Sequence, residues 1–162
     1  MPMLIALTIS ISLLAVLATW LFLVPLAALG VQVWQAFIAW GSHYHCGGKT
    51  AGARNTIVCM SFGAVVGALA VVLAGQLGAL GNWAAPVAVG VGAVVIVLAA
   101  HLSFLATIPV CFYGFASVAG LILLKGVAPI DAIVPTIASV AIGAAFGWVS
   151  EAIAGKLAKP AA

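Results

Sequence analysis

The stretch Ser42–Lys49, SHYHCGGK, places His43, His45 and Cys46 side by side, and His101 follows later in the chain. These residue types could ligate a transition metal. Their spacing argues against a ready-made chelate. Residues two apart on an α-helix point about 200° away from each other. His43 and His45 could therefore share one ion only if Tyr44–Gly48 were unwound, which Gly47 and Gly48 would allow. Two other readings stand beside the metal site: a pH-sensitive gate or vestibule, because histidine titrates near neutrality, and plain interfacial histidines. No cofactor is expected.

A second pattern carries no charge. Ser103, Thr107, Cys111, Gly114 and Ser117 recur at steps of four, four, three and three, which keeps them on one face of a helix. Gln35, Ser42 and the His45/Cys46 pair make a similar stripe earlier in the chain. Hydroxyls, an amide and small residues on one face suit a narrow path that offers hydrogen bonds without fixed charge. The same groups can equally bond their own helix and simply pack. The candidates for lining a pore are Gln35, Trp40, Ser42, His45, Thr107, Cys111, Phe112 and Ser117, with Trp40 and Phe112 setting its width. Pro109 sits inside the second stripe and predicts a kink there, because proline lacks an N–H and clashes one turn back. Glu151 reads as a carboxylate snorkelling to an interface, and Asp131 as a helix-start residue.

The elements that must position these groups are membrane helices. The chain has 162 residues, of which 67% are hydrophobic and 4% charged, with a mean hydropathy of +1.40. Soluble domains carry about 25% charged residues, so this surface is suited to lipid rather than water. The net charge of +3 is too small and dispersed to suggest nucleic acid. The first apolar run has no preceding Lys or Arg and continues to about Val24, longer than a secretory signal, so it is expected to remain as a helix. Cys46, Cys59 and Cys111 form no spaced framework and read as reduced packing residues.

Pro, Gly and charged residues divide the chain into six apolar segments: Met3–Val24, Val31–Tyr44, Thr56–Leu77, Ala85–Ala100, Ser103–Leu124 and Val134–Ala154. If all six cross, Lys49, Arg54, Lys156 and Lys159 fall on one side and only Lys125 on the other. The positive side is then cytoplasmic and both termini lie there. Trp20, Trp34 and Trp83 fall near the outer interface, whereas Trp40 and Trp148 are expected to pack deeper.

The halves resemble each other. Thr56–Gln76 aligns without gaps on Thr136–Lys156 at an offset of 80, with seven of 21 positions identical. A weaker echo joins FIAWGS, Phe37–Ser42, to FYGFAS, Phe112–Ser117. Three helices per copy is an odd number, so the second copy enters the bilayer upside down. Inverted repeats of this kind are common in transport proteins, with the solute path where the repeats meet. Gly63/Gly67 and Gly143/Gly147 form matched GxxxG pairs, which serve close helix packing. No Asp, Glu, Lys or Arg is expected at the membrane midplane, which disfavours ion-coupled pumping. No phosphate cradle or activated nucleophile is present in the sequence, so an enzyme is not expected.

The runs WQAFIAWGSHYHCGGK, TIPVCFYGFASVAG and IVPTIASVAIGAAFGWVSEAIAG resemble the YcdZ-like family of small bacterial inner-membrane proteins, over nearly the whole chain. That family is a domain of unknown function, so the resemblance implies the bacterial inner membrane and no particular activity.

The expected architecture is an all-α polytopic bundle, a single membrane domain over residues 1–162. It has six transmembrane helices as two inverted repeats, about 1–80 and about 81–162, and is expected to associate with further copies of itself. The expected function is a channel for a small, uncharged polar solute such as urea, a short amide or ammonia. The alternatives are a metal- or proton-linked carrier using His43, His45, Cys46 and His101, and a non-transporting subunit that binds a membrane partner.

Overall fold

The structure is a computed structural model and describes residues 1–158. Lys159, one of the charges used to orient the chain, lies outside them. Six α-helices form the described residues, with no strand among them: α1 Met3–Leu23, α2 Val33–His45, α3 Lys49–Gln76, α4 Ala84–Ala99, α5 Ile108–Lys125 and α6 Ile133–Leu157. Five are long and apolar enough to cross a membrane, α4 together with the 3-10 turn that precedes it. The exception is α2, whose 13 residues rise only about 20 Å.

Local sequence explains the helix ends. Gly30 (φ 72°) follows the loop after α1, and Gly126 (φ 66°) ends α5; both adopt the left-handed conformation that glycine tolerates best. The fifth segment differs from expectation. Ser103–Leu105 is a separate 3-10 turn, and α5 begins only at Ile108 with Pro109 in its first turn. Proline is favoured there because the first helical N–H groups have no intrahelical partner to lose. Pro109 therefore starts a helix and does not kink one. Ser103 and Thr107 precede α5, so the helical stripe predicted from them is shortened to Cys111, Gly114 and Ser117.

Consecutive helices run in opposite directions. The start of α1, the end of α2, the start of α3 and the end of α6 line one groove, through Met3, Tyr44, Lys49 and Gly155. Thr107, just before α5, meets Asn55 of α3 at the same end, and the α4–α5 connection reaches it through Ser103 and Phe104 beside Arg54. This is the basic end of the bundle. At the opposite end Gly30 packs on Pro135, and Trp34 on Gly120.

The centre is formed by α3 against α6. In addition α3 packs on α5 and α4, and α6 packs on α2 and α1. Glycine permits the closest of these crossings. A Cβ at Gly63 would overlap the Cys111 carbonyl, and one at Gly143 the Ala36 carbonyl. A Cβ at Gly67 would meet Val118 at 2.7 Å, and one at Gly147 would meet His43 at 2.8 Å. Gly63 and Gly143 are 80 residues apart, as are Gly67 and Gly147; Ala36 and Cys111 are 75 apart, as are His43 and Val118. The same two offsets carry one set of contacts onto the other.

The outer helices bury only narrow strips: Ala6, Ser10, Ala18 and Phe22 on α1, and Ala84, Ala88, Gly92 and Ile96 on α4. Leu13, Val16, Val94 and Leu98 project outward, an exposure that costs nothing in lipid. Trp20 and Trp83 are exposed, and Trp40 is buried as expected of a packing residue. Trp148 is not the packing residue predicted; it is 47% exposed and lines the groove at the basic end.

A buried polar seam as the candidate functional site

Where α2 and α5 approach the central α3/α6 pair, polar side chains are buried along most of the bundle. On α2, Gln35, Ser42 and His43 are buried with Trp40 and Ala39 between them. A spacing of seven puts Gln35 and Ser42 on one face. That face turns inward because α2 crosses α6 backbone to backbone at Gly143.

Away from the basic end, Gln35 is fully buried. Its Nε2 donates to the Ser117 carbonyl at 2.9 Å and to Thr136 Oγ1 at 3.0 Å. One carboxamide thereby ties α2 to α5 and α6. Gln35 Oε1 and Ser117 Oγ have no protein partner. Buried polar atoms usually find one. Further along, Thr56 Oγ1 donates to Ser42 Oγ at 3.3 Å, joining α3 to α2.

At the basic end the seam becomes ionisable. His43 is 0% exposed, and its Nε2 lies 3.0 Å from Glu151 Oε2. Glu151, 32% exposed, also accepts from the Lys49 backbone N–H at 2.6 Å. Because Nε2 meets a carboxylate, which only accepts, Nε2 carries the N–H that donates. His43 Nδ1 then has no partner. Beside this pair, Ser150 Oγ receives the Trp40 indole N–H at 3.0 Å, lies 2.7 Å from the Tyr44 hydroxyl, and donates to the Gly147 carbonyl. The groove outside Glu151 has a volume of about 520 Å³ and is lined by Lys49, Thr50, Tyr44 and Trp148 among others.

The turn that presents Lys49 is itself unusual. Gly47, Gly48 and Lys49 all have positive φ, of 86°, 70° and 57°. A Cβ at Gly48 would stand 2.7 Å from the Glu151 carboxylate oxygens. For Lys49 this left-handed conformation costs about 1 kcal/mol, which the short bond to Glu151 offsets.

The histidines do not come together as a chelate. The helix continues through His45, so His43 faces α6, while exposed His45 contacts Tyr113 of α5 at 3.4 Å. His101 is exposed in the α4–α5 connection, and Cys46 Sγ accepts from Asn55 at 3.4 Å. Among the described residues no three His, Cys, Asp or Glu side chains are placed to hold one ion. The four residues named for the metal alternative, His43, His45, Cys46 and His101, are thus not brought together at one place.

The remaining candidates divide. Trp40, Ser42, Cys111 and Ser117 are buried at the helix crossings, and Phe112 is partly buried in the core around Cys59 and Met60. Thr107 accepts from Asn55 at 2.7 Å near the surface. Glu151, Ser150, Thr136 and Asn55 were missed as site residues. For Glu151 a signal existed: in the 80-residue alignment it stands opposite Val71, a carboxylate replacing an apolar residue inside an apolar helix, and such a residue is a functional candidate by default.

A family model described as "Protein of unknown function (DUF1097)" matches residues 8–155. The chain belongs to this family. No curated protein and no solved structure matches it. The DUF1097 match begins within α1 and ends within α6, so it takes in the whole seam, Gln35 to Glu151.

Proposed function

We propose that the protein is a channel or facilitator in the bacterial inner membrane that passes a small, uncharged polar solute along this seam. Urea, a short amide and ammonia are the solute classes in view. The observation that carries the reading is Gln35 with Ser117: two fully buried polar side chains, each with an unpartnered polar atom, where three helices meet. A carboxamide oxygen and a hydroxyl suit the N–H groups of such solutes and repel no neutral molecule.

The reading treats the chain as six crossings in two inverted three-helix halves, in the manner of the YcdZ-like proteins it resembles. Supporting this are the alternating helix directions and the passage of α2 alongside α6 from Gly30 near Pro135 to His43 near Gly147. The matched contacts at offsets of 75 and 80 support it too. The basic end, with Lys49, Arg54 and Lys156, is assigned to the cytoplasm with both termini. The tight glycine crossings leave the seam closed, so passage requires one half to rock against the other. Self-association would proceed through small-residue faces.

Stopped-flow light scattering on proteoliposomes tests the proposal with urea, acetamide and ammonia. At least one solute should cross faster than in empty liposomes, and Gln35→Leu or Ser117→Ala should slow it. Equal rates for every solute with and without protein overturn it. A second reading, a non-transporting subunit, draws support from the same closed crossings; co-purification of a stoichiometric membrane partner together with null transport would favour it.

A further inference from the structure

We propose that Glu151 and His43 form a proton-binding site that latches the basic end of the seam. Three observations converge on it. The carboxylate joins three elements: it holds α6 to α2 through His43 Nε2, and to the α2–α3 turn through the Lys49 N–H. Its outer side is partly exposed to the groove, whereas His43 behind it is fully buried. The corresponding positions of the other half, Val71 for Glu151 and Val118 for His43, are apolar, so packing of these helices does not itself require the pair.

The chemistry is the addition of one proton from bulk water to the Glu151 carboxylate, with no other bond formed. The ionised carboxylate accepts both N–H groups through one oxygen, as charge-assisted bonds. A carboxylic acid accepts more weakly, and its own O–H requires an acceptor. Among the described residues, the titratable groups facing the pair are Tyr44 of α2 and Lys49 at the start of α3; α6 contributes Gly147 and Ser150, and α1 brings Met3 and Leu7 to the groove. Acidification thus frees the strained Gly47–Lys49 turn and loosens α2 from α6. That this release governs solute passage rests on the facilitator reading; the latch itself does not.

Hydrogen exchange of the purified protein across about pH 2–7, a window that extends well below the ordinary carboxylate range, tests the latch, with rates corrected for intrinsic exchange. In the wild type, protection of the Lys49 amide should fall at least tenfold as pH falls, while amides in the middle of α3 stay protected. Glu151→Gln, which keeps a neutral acceptor oxygen without the charge, should show Lys49 protection that no longer changes with pH. The double variant His43→Val/Glu151→Val should fold and show no pH response. A pH response of the Lys49 amide that persists in Glu151→Gln or in the double variant overturns the proposal. Solute flux measured on the same variants separates the two ideas. Absent flux in the wild type defeats the facilitator reading and leaves the exchange result to decide the latch. A pH-dependent flux unchanged in Glu151→Gln removes the latch from control of passage.

Discussion

The crossing of α6 over α2 and that of α3 over α5 share one backbone plan but differ in chemistry. In both, a glycine pair one turn apart meets the backbone and a side chain of the partner helix. Around α6 and α2 the side chains are His43, Glu151 and Ser150. Around α3 and α5 the corresponding residues are Val118, Val71 and Ala70, and Val118 belongs to a wholly apolar cluster with Ala64, Ala68 and Leu121. Gln35 likewise corresponds at the 75-residue offset to Val110, whose side chain has no hydrogen bond to give. Packing is thus supplied by the small residues; Gln35, His43, Ser150 and Glu151 are additions to one copy, whereas the buried Ser42/Ser117 and Thr56/Thr136 pairs are common to both. Polar side chains that packing does not need are where a working site is to be sought.

The sharpest way to break this comparison is at the glycines. Gly63→Leu and Gly143→Leu should each destabilise the fold by about 3 kcal/mol or more, to a similar degree, read as a lower midpoint of denaturant unfolding in detergent. Gly41→Ala, where a Cβ would meet nothing within 4 Å, should be neutral or slightly stabilising. Tolerance of leucine at only one of the two crossings would show that they are not alike.

A smaller effect is expected along the polar seam. Gln35→Leu leaves the Ser117 carbonyl and Thr136 hydroxyl without their donor and should cost about 1–3 kcal/mol. Replacing the ionisable pair should show coupling: His43→Val or Glu151→Val alone should cost about 1–2 kcal/mol, and the double variant less than the sum. Additive costs would mean that the two side chains act independently. The smallest change is expected at the turn, where Lys49→Gly relieves the left-handed strain while keeping the N–H. It should raise stability by about 0.5 kcal/mol, since part of the gain is offset by the entropy of glycine in the unfolded chain. Thermal unfolding of wild type and variant side by side would measure it.

Much of the helical layout was legible before the structure because apolar run length and Gly/Pro punctuation are local signals. The α3/α6 correspondence was legible as well, since its glycines are constrained by contact. The start of α5 was not. Hydropathy does not register the 3-10 turn at Ser103–Leu105, and Pro109 was read as an interruption because nothing local marked it as a beginning. The histidines show a further limit. Which of His43 and His45 is buried depends on a crossing with Gly147, more than a hundred residues away. Glu151 was visible as an anomaly against Val71, but its partners, His43 and the backbone of Lys49, were set by tertiary packing alone.

The brevity of α2 has a consequence for the bilayer. Its 13 residues reach about two-thirds of the roughly 30 Å hydrocarbon thickness, whereas α3 and α6 beside it have 28 and 25 residues. If α2 crosses the bilayer as proposed, headgroups and water would be drawn inward at the two ends of this one helix. The insulating layer would then be thinnest next to Gln35 and His43, which would give a crossing solute its shortest dry distance.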